Sequence, residues 1–162
     1  MNWERALRTM ICGVILILLH YTLRPLLGWR ASIDFMLIAA IFGAVRMRPG
    51  WAAVYGLALG LIGDALSING FGAGALSMTL VAYGASWLKA AFFADNLALN
   101  SFFLFAGKWL FDVIIVLAGR RLAGGDLAIQ VLVWSSLSAA VTAVAGALAL
   151  TMLRPLMGPR PE

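Results

Sequence analysis

The sequence predicts an all-α, polytopic membrane protein with six transmembrane helices, and three observations carry that reading. The 162 residues are 63% hydrophobic, only 12% are charged, and the mean hydropathy is +0.96. Ordinary soluble domains carry about a quarter charged residues. The apolar residues fall into six runs, and basic residues stand singly or in pairs at the ends of those runs. That is the positive-inside pattern of an integral membrane protein. A spanning helix needs about 20 apolar residues, so six use roughly 120 positions and leave short loops. The composition excludes a soluble enzyme, a disordered segment and a nucleic-acid-binding module. Residues 1–162 read as one transmembrane domain in contact with membrane lipid.

The first apolar run follows Arg5 and Arg8 and resembles the start of a signal peptide. No small-x-small cleavage site follows it promptly, so an uncleaved helix is expected over residues 6–23. Pro25, Gly28 and Trp29 form the next turn, at the membrane surface where Trp prefers to sit. The second helix is expected over residues 32–45, short unless Arg30 and Arg46 reach out to the interfaces. A tight basic turn, Arg46 to Gly50, leads to a third helix over residues 51–66. The fourth helix is expected over residues 71–93. Asp95, Asn96 and Asn100 mark the turn into a fifth, over residues 97–118. The last loop holds Arg120, Arg121, Gly124, Gly125 and Asp126. A sixth helix covers residues 127–153, before Arg154, Pro155 and Pro159 close the sequence.

Orientation follows from the basic residues on alternate sides. Arg5, Arg8, Arg46, Arg48, Lys89, Arg154 and Arg160 lie on one side; Arg24, Arg30, Arg120 and Arg121 lie on the other. Lys108 falls inside the fifth helix and belongs to neither. The imbalance places both termini in the cytoplasm. The single cysteine, Cys12, makes no internal disulfide, and with the single histidine, His20, it offers no metal cluster. No cofactor is expected.

Two stretches concentrate the unusual residues. Gly56 and Gly60 share one face of the third helix and Gly63 extends it, so another helix backbone can approach closely there. Asp64 ends that helix. A carboxylate within a span is a candidate for ligand binding or proton relay, but nearness to a loop favours a structural role, accepting hydrogen bonds from loop amides. Lys108 and Asp112 stand four residues apart near the middle of the fifth helix, on one face. A charge at a helix centre costs about 2.5–3.5 kcal/mol on insertion scales, and pairing lowers that cost. They read as an intramembrane ion pair facing the bundle interior or a partner; a proton or ion site is the sharper alternative.

Asp34 is the helix-start acid of the second helix, where the dipole favours a carboxylate. His20, Asp34 and Asp64 read as spread towards the ends of different helices, with His20 at interface depth, bonding lipid headgroups or a loop. Ser67, Ser77, Ser86, Ser135, Ser136 and Ser138 have no histidine beside them in sequence. No catalytic residue is expected. The sixth helix is rich in Ala, Ser and Gly, and such residues build packing surfaces in lipid.

An acid opening helix two, an Arg/Pro turn, and a helix ending Gly-x-x-x-Asp before a Gly-containing turn together resemble the rod-shape-determining MreD family of bacteria. In this sequence those features are Asp34, Arg46 to Pro49, Gly60 to Asp64, and Gly70 with Gly72. The likeness covers residues 34–93 by motif and the remainder by hydropathy. Ile33 stands where the family often has proline before the acid, and Asn69 precedes the glycine turn. The resemblance implies a non-enzymatic inner-membrane subunit of the cell-elongation machinery, supporting peptidoglycan synthesis and cell shape. Its implied partners are MreC, RodA, the elongation-specific penicillin-binding protein and the actin-like MreB, with a homodimer left open. Members are similar in fold to the substrate-binding subunits of energy-coupling-factor vitamin transporters. That analogy supplies the alternative, a small-molecule-binding membrane subunit of a vitamin-type transporter.

Overall fold

The computed structural model describes residues 11, 13–22, 33–66, 72–88, 97–119 and 128–153. Cys12, the surface turn at Pro25, Gly70, the loop holding Arg120 and Arg121, and both termini lie outside the described residues. Every regular element among the described residues is helical. In chain order these are α1 (Gly13–Thr22), α2 (Phe35–Ala44), α3 (Pro49–Ala65), α4 (Ala73–Trp87), α5 (Leu97–Gly119) and α6 (Ser135–Leu153), with a π-helical turn, Gln130–Trp134, leading into α6. Two helical stretches, Ala98–Ala118 and Gln130–Thr151, are long and apolar enough to cross a membrane.

The centre of the bundle is α2. All ten of its residues are buried. Ten residues rise about 15 Å, half the roughly 30 Å of a hydrocarbon core. The sequence FMLIAAIFGA is apolar on every side, and such a helix is stable only when surrounded. The others surround it: α1 contributes Leu16, α3 Ala52 and Leu59, α4 Met78, Val81 and Ala82, α5 Leu104 and Phe111, and α6 Ala143. The exposed helix faces are also apolar, with Val14, Ile15 and Leu18 on α1, and Trp51, Val54 and Leu57 on α3.

Each end of α2 is tied down by a polar contact. Asp34 is its N-cap: Oδ1 accepts from the Leu37 N–H at 3.1 Å. The Asp34 N–H donates to Thr142 Oγ1 at 3.3 Å, which binds the start of α2 to α6. Past its other end, the Ser86 hydroxyl of α4 donates to Met47 O at 2.8 Å. Midway, the Tyr55 hydroxyl of α3 donates to Ala39 O at 3.3 Å. The Tyr55 ring lies in the notch left by Gly43, where a Cβ would come within 2.5 Å of it. A free backbone polar group costs several kcal/mol away from water, so such contacts matter more here than on a wet surface.

α3 and α4 form the tightest pair. A Cβ on Gly56 would lie 2.5 Å from Met78 O and 2.7 Å from Ala82 Cβ; on Gly60 it would strike Ala75 Cα and lie 2.8 Å from Gly74 O. Both glycines are therefore places where two backbones touch. Gly63 departs from the expected shared face. It meets the Met36 side chain of α2, at 3.4 Å from a built Cβ. The reason is angular: three residues advance a helix by about 300°, so Gly63 is rotated roughly 60° from Gly60 and looks past α4 towards α2.

Candidate functional site: a charged cavity at the start of α2

The capping chemistry of α2 and the charge at the middle of α5 meet in one place. Lys108, midway along the 23-residue α5, is buried. Its ammonium donates to Asp112 Oδ1 one turn on and lies 3.5 Å from Asp34 Oδ2. It also stands 5.0 Å from the centroid of the Phe111 ring, within cation–π range. On the other side of Asp34, His20 Nδ1 of α1 is 3.5 Å from Oδ1. One carboxylate thus caps a helix and faces an imidazole and an ammonium from two other helices.

This arrangement corrects two expectations. His20 is not a headgroup contact: it is 4% exposed and packed edge-on against Tyr21. Nor are the ionisable residues dispersed. Asp34, at the N-cap of α2, stands between His20 of α1 and Lys108 of α5, and with Asp112 these form one cluster. Lys108 and Asp112 do pair as their spacing implies, but Asp34 makes the pair a triad.

Asp64 lies apart from this triad but lines the same cavity. It is buried, and its Oδ2 accepts from the N–H groups of Gly72 at 2.8 Å and Ala75 at 2.9 Å. These are donors of the first turn of α4, which the helix itself leaves unpaired. Gly72, with φ of 104°, caps α4 in the left-handed region natural to glycine. Gly74 lets the carboxylate lie against the backbone, since a Cβ there would collide with Asp64 Oδ1. Gly72, Gly74 and the acid therefore act together as a cap donated by the preceding helix.

The cavity has a volume of about 320 Å³. Its walls carry His20, Asp34, Asp64, Lys108 and Asp112, with Gly60 and Gly63 at the α3 side and Trp134 and Ser135 at the α6 side. Gln130, Trp134 and Ser135 belong to or adjoin the π-helical turn, in which the Ser135 N–H bonds Gln130 O. A π turn widens the helix and re-aims side chains, and it recurs at functional sites. Nothing in the sequence marks it. Among the described residues no group of three or more His, Cys, Asp or Glu is arranged to hold a metal ion.

No protein-family model, curated protein or solved structure matches the chain.

Proposed function

We propose that this protein is a non-enzymatic, multi-pass subunit of the bacterial cell-elongation complex, of the MreD type. In this reading it crosses the inner membrane six times, keeps both termini in the cytoplasm and binds MreC. It acts beside RodA, the elongation-specific penicillin-binding protein and MreB in peptidoglycan synthesis and shape control. One observation carries the reading. Asp34, Gly60 and Asp64, three of the residues that carry the family resemblance, all line one cavity. Punctuation between unrelated apolar runs gives no reason for such convergence; residues that build one shared feature do. The exposed apolar faces of α1 and α3 suit lipid or a partner helix, as a scaffold subunit needs.

A second reading has its own supporting observation. A transporter's binding subunit needs a pocket with convergent polar groups, and the cavity beside Asp34 has them. Affinity purification from membranes in mild detergent separates the two. Co-elution of MreC or RodA supports the elongation subunit. Co-elution of an ATPase pair with a coupling membrane subunit supports the transporter and overturns the first reading.

A further inference from the structure

We propose that the turn between α2 and α3 binds an anionic phospholipid, its phosphate on Arg48 and its acyl chain along α3. The proposal rests on the reading that the chain spans a membrane. The first observation is an unanswered charge. Arg48 is exposed at the N-cap of α3, where its side chain makes no capping bond. Its guanidinium has no hydrogen bond, ion pair or ring contact among the described residues. The three acids among those residues lie elsewhere. Asp34 and Asp112 flank Lys108, with the length of α2 between Asp34 and this turn. Asp64 stands at the far end of α3, about 24 Å along the helix from Arg48. A guanidinium matches a phosphate with two parallel hydrogen bonds.

The second observation is where the large aromatic side chains stand. Trp51, in the first turn of α3, is 70% exposed, and Trp87, at the end of α4, is 66% exposed. The bond from the Ser86 hydroxyl to Met47 O holds that end of α4 against the same turn. Tryptophan settles at the boundary between headgroups and hydrocarbon, so two of them mark this end of the bundle as headgroup level. The third observation is the surface that continues from Trp51. Val54, Leu57 and Leu61 are exposed and follow Trp51 within about 120° of helix arc, over about 15 Å. A partner helix of apolar residues covers that stripe but leaves Arg48 unanswered. A phospholipid answers both, with its phosphate at the guanidinium and its chain on the stripe. The basic count expects this turn to be cytoplasmic, and the anionic lipids of that leaflet attract juxtamembrane basic residues.

The test uses the purified full chain in vesicles of phosphatidylcholine with an equal share of phosphatidylglycerol. In one set the phosphatidylglycerol carries brominated chains, which quench tryptophan on contact; in the other the phosphatidylcholine does. The signal of Trp51 is the difference between the full chain and its Trp51→Phe variant. Quenching of Trp51 should show phosphatidylglycerol preferred about fivefold over phosphatidylcholine, the worth of one basic residue near an anionic surface. Arg48→Gln should bring the preference to about one, and Arg48→Lys should keep part of it, since an ammonium holds a phosphate as a point charge. Equal quenching of Trp51 by the two lipids overturns the proposal, as does a preference that Arg48→Gln leaves unchanged. Trp51 reached by neither lipid also overturns it and gives the stripe to a protein neighbour. Vesicles of phosphatidylcholine alone separate this from the membrane reading. A chain that inserts there, with its other tryptophans quenched, keeps that reading whatever Trp51 shows, and a chain that stays outside the vesicles overturns both.

Discussion

Asp34 Oδ2 lies 3.5 Å from Lys108 Nζ, so the residue that caps α2 is also a counter-ion for the charge at the centre of α5. Lys108 therefore has two carboxylate partners, and removing one is not equivalent to removing the ammonium. Asp112→Asn leaves Lys108 with Asp34. Lys108→Met leaves Asp34 and Asp112 buried near each other without the cation between them. Removing one partner of a buried pair typically costs about 3–5 kcal/mol. Lys108→Met should reach that range and Asp112→Asn should cost clearly less. Combining Lys108→Met with Asp112→Leu should recover only part of the loss, because the double change also strips the ammonium from Asp34. Unfolding in detergent gives the order; equal costs for the two single changes would contradict the triad.

Glycines that look alike in the sequence should behave oppositely. Gly60→Leu drives a side chain into the backbone of Gly74 and Ala75, which cannot swing aside. Overpacking of this kind costs about 1–3 kcal/mol, and backbone contact puts Gly60 at the upper end. Gly84→Ala on α4 meets nothing within 4 Å and should be neutral or slightly stabilising, since alanine restricts the unfolded chain. Comparing the folded fraction of the two by size-exclusion chromatography checks the contact.

Asp64→Ala should release the first turn of α4. Two N–H groups, of Gly72 and Ala75, lose their acceptor. A buried unsatisfied donor costs about 1–3 kcal/mol, so a loss of about 2 kcal/mol or more is expected. Hydrogen exchange at these two amides should speed up while the middle of α3 stays protected. Unchanged exchange would remove Asp64 from the capping role.

Much of this fold is legible in the sequence, because apolar runs, Arg-Pro-Gly turns and an acid before a run are local signals. α2 starts at Phe35 and α3 at Pro49, three and two residues from the expected starts. What is not legible is which helix lies inside. In lipid, an all-round apolar helix such as α2 suits either protein or hydrocarbon neighbours, so its central position rests on packing. The Tyr55–Gly43 fit and the π turn at Gln130 are long-range or backbone features with no compositional mark. His20 misleads for the same reason. Its distance from the end of its run says nothing of which side faces Asp34.

Topology is tested separately. Seven basic residues on one side against four on the other predict a cytoplasmic C-terminus. A reporter active only in the cytoplasm should be active when fused there, and a periplasmic reporter silent. The reverse pattern would overturn the proposed topology, by inverted orientation or by an odd number of spans.

The proposed role in cell elongation is read most directly from cell width after depletion of the protein from its host, with and without re-expression of the full chain. Depleted cells should widen and round up, and re-expression should restore their width. Unchanged width, with uptake of a small solute lost instead, would contradict that role.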